Sequence, residues 1–240
     1  MQDITWIFFD CFNTLVDDFD ETGDQSGVKP LGELAAQAGV VEQPEDFHRL
    51  YIQWRKNEWD GTSWHEVNLP ERIAGTLALG RSSSKPLSQL TDELMQCFHK
   101  TYPDTLRITP GAEEMLARVG HKYRTCLVSN FFLPGYPEKV LRQFDLHHSF
   151  DLIIDSAQVG FKKPGLEFYQ YVFEQTGIGP EELPNVLFIG DSLVNDVVTP
   201  RKLGMQSLRF DRSRDVANFQ PTPEGVPSIN SWDQFLVDKK

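Results

Sequence analysis

The feature that most constrains the fold is a short, continuous apolar run that stops at an acidic residue. Residues 4–9 read I-T-W-I-F-F, and Asp10 follows directly. A run of this length, without polar alternation, is typical of a strand buried on both faces of a parallel sheet. We therefore expect the first strand of such a sheet to end on a carboxylate.

Similar runs follow later in the chain, and helical patterns separate them. The later strands are predicted at Tyr123–Ser129, Leu152–Asp155, Val186–Ile189 and Gln206–Phe210. The helices between them are predicted at residues 109–120, 134–145, 165–177 and 193–204. Strands that alternate with helices in this way predict the α/β class, with a doubly wound parallel sheet.

Residues 19–105 break this alternation. Their helical patterns lie at Pro30–Ala38, Pro44–Trp59, Leu69–Leu79 and Pro86–Tyr102. We predict an α/β core of residues 1–18 and 106–240, with an all-helical insertion at residues 19–105. The acidic stretch from Asp17 to Glu21 is interpreted as a solvated linker into the insertion.

Charge and composition argue against several classes of partner. The formal net charge is −12, whereas binding to nucleic acid needs clustered Lys and Arg. No apolar run approaches the roughly 20 residues of a membrane helix, and the N-terminus lacks a signal-peptide pattern. The three cysteines include no C-x-x-C pair, which favours reduced thiols. We expect a cytoplasmic protein with a small-molecule substrate and neither a nucleic-acid nor a membrane partner.

Polar residues stand where the predicted strands end. Ligands of open α/β sheets bind beyond the carboxyl ends of the strands, so these positions are candidate site residues. They are Asp10 after the first strand, Ser129 and Asn130 at the second, Lys163 in the loop after the third, and Asp191 and Asp196 after the fourth.

Together these segments resemble the four signature motifs of the haloacid dehalogenase superfamily, in the same order and at similar spacings. The resemblance spans the whole α/β part, and the helical insertion resembles the cap domain of that family. It implies Asp10 as the nucleophile, Thr14 as its hydrogen-bonding support, and Ser129 and Lys163 as catalytic groups. The same resemblance implies that Ser129, Asn130 and Lys163 bind the substrate.

The resemblance also implies a magnesium site. Its ligands would be Asp10, Asp191, Asp196 and the backbone carbonyl of Phe12. Charge supports this independently, because three carboxylates would face the single ammonium of Lys163. Close carboxylates need a compensating cation, and Mg²⁺ prefers carboxylates, other oxygens and water.

The first motif departs from the phosphatase pattern at one position. Phosphatases of the family have D-x-D, and the second Asp protonates the leaving group. Here that position is Phe12, which cannot transfer a proton. Loss of a general acid typically costs about 10²- to 10⁴-fold in rate.

An aromatic residue at this position is similar to the 2-haloacid dehalogenase branch, which has D-x-Y-G-T and works without metal. The segment Trp54–Trp59 is loosely similar to the cap region of that branch, in which an arginine, here Arg55, binds the substrate carboxylate. That branch has S-S-N-x-x-D in the fourth motif, however, whereas this chain has G-D-S-x-x-N-D.

We give the fourth motif more weight, because Asp191 beside Asp10 would be a liability without a cation. The sequence therefore predicts a Mg²⁺-dependent phosphatase of a small phosphorylated metabolite, impaired in acid catalysis by Phe12. Two alternatives stay open. One is a metal-free 2-haloacid dehalogenase, and the other is a weakly active protein that binds a phosphorylated ligand or a partner.

Overall fold

The chain folds into two compact units. The structure, a computed structural model, describes residues 3–20, 22–58, 61 and 63–236. One unit is drawn from Met1–Asp17 and Arg107–Lys240, and the other from Asp18–Leu106. Within the described residues, no helix is long and apolar enough to cross a membrane.

The regular elements have the following bounds. The strands are β1 (Trp6–Phe9), β2 (Val16–Asp17), β3 (Arg107–Ile108), β4 (Arg124–Ser129), β5 (Leu152–Asp155), β6 (Val186–Gly190), β7 (Gln206–Phe210) and β8 (Ser228–Ile229). The α-helices are α1 (Lys29–Gln37), α2 (Pro44–Glu58), α3 (Leu69–Ala78), α4 (Leu87–Thr101), α5 (Ala112–Val119), α6 (Tyr136–Gln143), α7 (Ser156–Val159), α8 (Leu166–Thr176), α9 (Thr199–Lys202) and α10 (Trp232–Leu236).

The first unit is a parallel sheet with the strand order β5-β4-β1-β6-β7-β8. β1 is central, and Phe9 lies opposite Leu127 of β4 and Ile189 of β6. The predicted α/β class with a doubly wound parallel sheet is confirmed. All five predicted strands are present, with ends that differ from the predicted ones by two residues or fewer.

Both faces of β1 are covered, which explains its continuous apolar sequence. Successive side chains of a strand point to opposite faces. Trp6 and Phe8 belong to the core cluster that includes Phe168 of α8. On the other face, the ring of Phe9 meets Trp232 edge to face at 6.1 Å.

The acidic stretch at residues 17–21 is not the solvated linker that we predicted. Asp17 is only 2% exposed and lies in β2, which pairs antiparallel with β3. Its carboxylate accepts hydrogen bonds from Arg212 at 2.7 Å, Thr109 at 3.0 Å and Arg107 at 3.3 Å. Donors that lie far along the chain therefore compensate its burial. Glu21 is outside the described residues.

The second unit is helical, as its sequence patterns indicate. α1 packs against α2 and α4, and α3 also packs against α2 and α4. The predicted second helix ends at Glu58, and Trp59 is outside the described residues. Arg72 forms a buried ion pair with Glu66, and its guanidinium also donates to the Tyr51 hydroxyl at 2.8 Å.

Candidate active site

Three carboxylates meet at the carboxyl edge of the sheet. Asp10 directly follows β1, Asp191 directly follows β6, and Asp196 lies five residues beyond Asp191. One oxygen from each lies within 4.8 Å of the others. Asp10 and Asp196 are buried, whereas Asp191 is partly exposed. The structure thus brings together the carboxylates that the sequence proposed as metal ligands.

Lys163 is the cation of this group. Its ammonium donates to Asp10 Oδ1 and Asp196 Oδ1, both at 2.8 Å, and to the Val128 carbonyl at 2.7 Å. An ammonium has three N–H donors, so these contacts use all of them. In this arrangement Lys163 holds the nucleophile candidate and Asp196 together.

Burial and charge act in opposite directions on this pair. Burial lowers the pKa of Lys163, but the negative charges of Asp10 and Asp196 outweigh it, and the net pKa is raised. Burial raises the pKa of Asp196, and the nearby charge of Asp10 adds to this, although Lys163 opposes both. Two carboxylates that share one ammonium explain both directions, because both carboxylates raise the pKa of the lysine and the charge of Asp10 raises the pKa of Asp196.

Asn130 holds the backbone of Lys163. Its side-chain amide accepts from Lys163 N–H and donates to the Lys163 carbonyl, both at 2.8 Å. The peptide bond from Lys163 to Pro164 is cis. Asn130 was predicted to bind substrate, and that role stays a prediction; its contacts here position the lysine.

A helical segment of unusual type carries Asp196. Residues Leu193–Val198 form a π-helix, and such segments are frequent at functional sites. Asp196 Oδ2 accepts the backbone N–H of Ser192 at 2.9 Å, so both carboxylate oxygens are held. A Cβ on Gly190 would lie 2.4 Å from the Asp196 carboxylate, so this close approach requires glycine.

The loop after β1 shapes the surroundings of Asp10. The Cys11 carbonyl accepts the N–H groups of Leu15 and Val16, at 2.8 and 3.1 Å. Asn13 has a positive φ of 61°, a conformation that Asn tolerates better than most residues. Thr14 Oγ1 donates to Asp10 Oδ2 at 3.4 Å, a long hydrogen bond from the residue predicted to support the nucleophile.

Phe12 stacks against an aromatic residue from the next motif. Its ring centroid lies 4.5 Å from that of Phe131, at an interplanar angle of 21°. Phe131 also stacks with Phe132 and Tyr136, at 4.2 and 4.9 Å. An apolar wall therefore stands two residues from Asp10, where family phosphatases have an acid. Sequence reasoning missed Phe131, although the pair F-F after Ser129 and Asn130 was a visible signal.

Two buried polar atoms of the first two motifs have no hydrogen-bond partner among the described residues. They are Ser129 Oγ and Asn13 Oδ1. A buried hydroxyl without a protein partner is unfavourable, so Ser129 Oγ suits a group that binds a ligand. The hydroxyl of Ser129 can donate to a phosphate oxygen. The carboxylates of Asp10, Asp191 and Asp196 offer the oxygen ligands that a hard divalent cation prefers.

Arg55, the remaining predicted substrate-binding residue, belongs to the other unit. It lies in α2 with an exposed side chain, and its guanidinium is 5.9 Å from the centroid of the Tyr51 ring. A role in substrate binding stays a prediction for this residue.

Comparisons with known proteins agree with this architecture. Residues 4–204 match the model of a family described as haloacid dehalogenase-like hydrolase. A glyceraldehyde 3-phosphate phosphatase of Methanothermobacter thermautotrophicus is 26% identical over 208 residues, which cover 84% of this chain and 83% of the relative.

Two solved structures have the same fold. A 2-haloacid dehalogenase from Pseudomonas syringae pv. Tomato has a TM-score of 0.70 at 16% identity, covering 97% of this chain and 96% of its own. The magnesium-bound hydrolase YfnB of Bacillus subtilis has a TM-score of 0.65, also at 16% identity, and covers 98% and 97% respectively.

Proposed function

The chain belongs to the haloacid dehalogenase-like hydrolase family, and on this premise we propose that it is a Mg²⁺-dependent phosphatase of small phosphorylated molecules. The observation that carries the proposal is a cluster of three carboxylates, two of which share one ammonium. Asp10, Asp191 and Asp196 lie together, and Asp10 and Asp196 share the one ammonium of Lys163. A metal-free site would leave this repulsion in place.

In the proposed reaction Asp10 attacks the phosphorus atom. A bond forms between its carboxylate and phosphorus, and the bond from phosphorus to the leaving oxygen breaks. Water then attacks the same phosphorus, which releases phosphate and restores the carboxylate. Lys163 keeps Asp10 in place through its 2.8 Å contact, and the Ser129 hydroxyl would bind a phosphate oxygen.

The metal would be held by Asp10, Asp191 and the backbone carbonyl of Phe12, with Asp196 beside them. When bound, the metal would supply positive charge, which would offset the negative charge of the carboxylates and the phosphate. A relative named for phosphatase activity supports this reaction class. The magnesium-bound YfnB structure supports the choice of metal, at the level of shared fold.

Calorimetric titration with Mg²⁺ tests the metal site. We expect the wild type to bind Mg²⁺ and Asp191→Ala to lose that binding, because the variant lacks a proposed ligand. Asp104→Ala, which removes an exposed carboxylate from a 3-10 turn in the other unit, is the matched control and should bind like the wild type. A wild type that takes up no Mg²⁺, even with phosphate present, would contradict the proposal.

A second candidate function is favoured by the apolar wall of Phe12 and Phe131. A departing halide needs no proton, so a site without an acid suits dehalogenation. An aryl phosphate and 2-chloropropionate, each assayed with Mg²⁺ and with a chelator, separate the two reactions. Chelator-resistant chloride release would favour the dehalogenase. Tight binding of Mg²⁺ and phosphate without turnover of either substrate would favour the binding protein instead.

A further inference from the structure

Arg209 lies beside the proposed metal loop but belongs to none of the motifs. It is in β7, where it pairs in register with Gly190 at the end of β6. Arg209 is only 5% exposed. Burial of a charged side chain is unfavourable unless hydrogen bonds or an opposite charge compensate it, so the contacts of Arg209 need an explanation.

The guanidinium of Arg209 holds two backbone carbonyls. Nε donates to the Asp191 carbonyl at 3.1 Å, and Nη2 donates to the Gln220 carbonyl at 3.0 Å. Nη1 is buried and has no hydrogen-bond partner among the described residues. The side chain therefore fixes the peptide of Asp191 directly, while one of its own donors stays unused.

The Asp191 peptide is a position where small movements matter. Asp191 is the most exposed of the three clustered carboxylates, and it follows directly on the last residue of β6. A shift of the backbone at Asp191 would change the distance between its carboxylate and that of Asp10. Residues that orient metal ligands from behind typically change metal affinity about 10- to 100-fold when mutated.

We propose that Arg209 is a positioning residue for the metal site, which orients Asp191 through its main-chain carbonyl. The inference rests on the proposed Mg²⁺ site and adds to it a residue from outside the four motifs. Arg209 touches no reacting atom in this scheme, and its effect passes entirely through Asp191.

The test is Mg²⁺ affinity, measured by calorimetry without substrate. We expect Arg209→Met to raise the Kd for Mg²⁺ about 10-fold or more. Arg209→Lys keeps the charge but lacks the forked guanidinium that reaches both carbonyls. Its Kd should lie between those of the wild type and Arg209→Met. Arg201→Met is the matched control, because Arg201 bonds the Ser207 hydroxyl of the same strand and makes no such contact with Asp191. Its Kd should equal that of the wild type.

The melting temperature of each variant separates positioning from general stability. If Arg209→Met melts earlier but keeps the wild-type Kd, the residue is merely structural and the inference is overturned. If this variant fails to fold, Arg209→Lys decides, and a wild-type Kd overturns the inference. If the inference is overturned in one of these ways but Asp191→Ala loses Mg²⁺ binding, the proposed function is still supported. A wild type that binds no Mg²⁺ would overturn both.

Discussion

At the scale of single residues, the candidate site depends on how Asp10 is held. One of its oxygens accepts a hydrogen bond from Lys163 at 2.8 Å, and the other accepts the long hydrogen bond from Thr14 at 3.4 Å. Lys163 is in turn fixed by the side chain of Asn130. The Asp10 carboxylate is therefore held mainly by its ion pair with Lys163.

We expect Asp10→Asn to reduce turnover of an aryl phosphate to below one tenth of the wild-type value. An amide is a far weaker nucleophile and carries no negative charge. The measurement is kcat with saturating Mg²⁺, together with a circular dichroism spectrum to show that the fold persists. Asp92→Asn, at an exposed position of α4, should retain full activity. Activity above one tenth in a folded Asp10→Asn variant would exclude Asp10 as the nucleophile.

The second residue-scale prediction concerns Phe12. Without an acid, the enzyme should prefer aryl or acyl phosphates, whose leaving groups need no proton, to alkyl phosphates. Phe12→Asp should raise kcat/KM for an alkyl phosphate about 10-fold or more, within the usual range of general acid catalysis. The apolar contact with Phe131 would favour the protonated form of the new carboxyl, as an acid requires.

Phe12→Asn is the control for this substitution, since it has a similar shape to aspartate but transfers no proton. It should not raise alkyl phosphate hydrolysis. A wild type that hydrolyses the alkyl ester as fast as the aryl ester would show that another residue is the acid, and the interpretation of Phe12 would fail.

The positions of the polar residues were predictable from the sequence because each one ends a recognisable strand. Asp10, Ser129 and Asp191 are brought to one edge by the parallel topology alone. Arg209 was not predictable as a partner of Asp191, since its contact is with a backbone carbonyl and leaves no trace in residue types. The only signal was a charged residue inside a predicted strand of the sheet.

At the scale of elements, the end of β6 and the π-helix together position Asp191 and Asp196. Gly190 ends the strand, Asp191 follows, and the π-helix turns Asp196 back toward the strand end. The sequence predicted an ordinary helix over 193–204, whereas the structure has a π-helix and then α9. Periodicity could not show this, because the spacing of apolar residues over one or two turns does not distinguish a π-helix from an α-helix.

Gly190→Ala should disturb the packing of Asp196 against the end of β6. The added Cβ would lie 2.4 Å from the Asp196 carboxylate, so the backbone or Asp196 must move. We expect a loss of about 1–3 kcal/mol in the free energy of unfolding, as is usual for overpacking, and weaker Mg²⁺ binding. Urea unfolding and calorimetry measure the two effects. Gly179→Ala, where a Cβ meets nothing closer than 3.6 Å, should change neither; equal behaviour of the two variants would refute this account.

At the scale of the whole molecule, Asp17 joins parts of the chain that are distant in sequence. Arg212 reaches it across 195 positions, and Arg107 and Thr109 complete its bonding. Sequence patterns missed this link, because an acidic run is usually exposed and its partners lie beyond the range of any local pattern. Tertiary pairing overrode the local tendency here.

Arg212→Met should destabilise the protein by about 3–5 kcal/mol, because it leaves a buried carboxylate without its strongest partner. The double variant Asp17→Asn with Arg212→Met should be less destabilised than Arg212→Met alone, since the buried carboxylate that has lost one of its two arginine partners is gone. Denaturant unfolding of the wild type, both single variants and the double variant measures this coupling. Strictly additive losses would show that the two groups act independently.

The place of β1 in the sheet also bears on how the protein is made. Asp10 directly follows β1, yet the two strands that flank β1 are residues 124–129 and 186–190, far later in the chain. On the ribosome, chains grow from the N-terminus at about 5–20 residues per second. Asp10 would therefore wait roughly ten seconds or more before β6 and Asp196 emerge. Until residue 163 is made, Asp10 lacks the ammonium that contacts it, and Asp191 and Asp196 follow later still, so the candidate site is complete only after β6 has emerged.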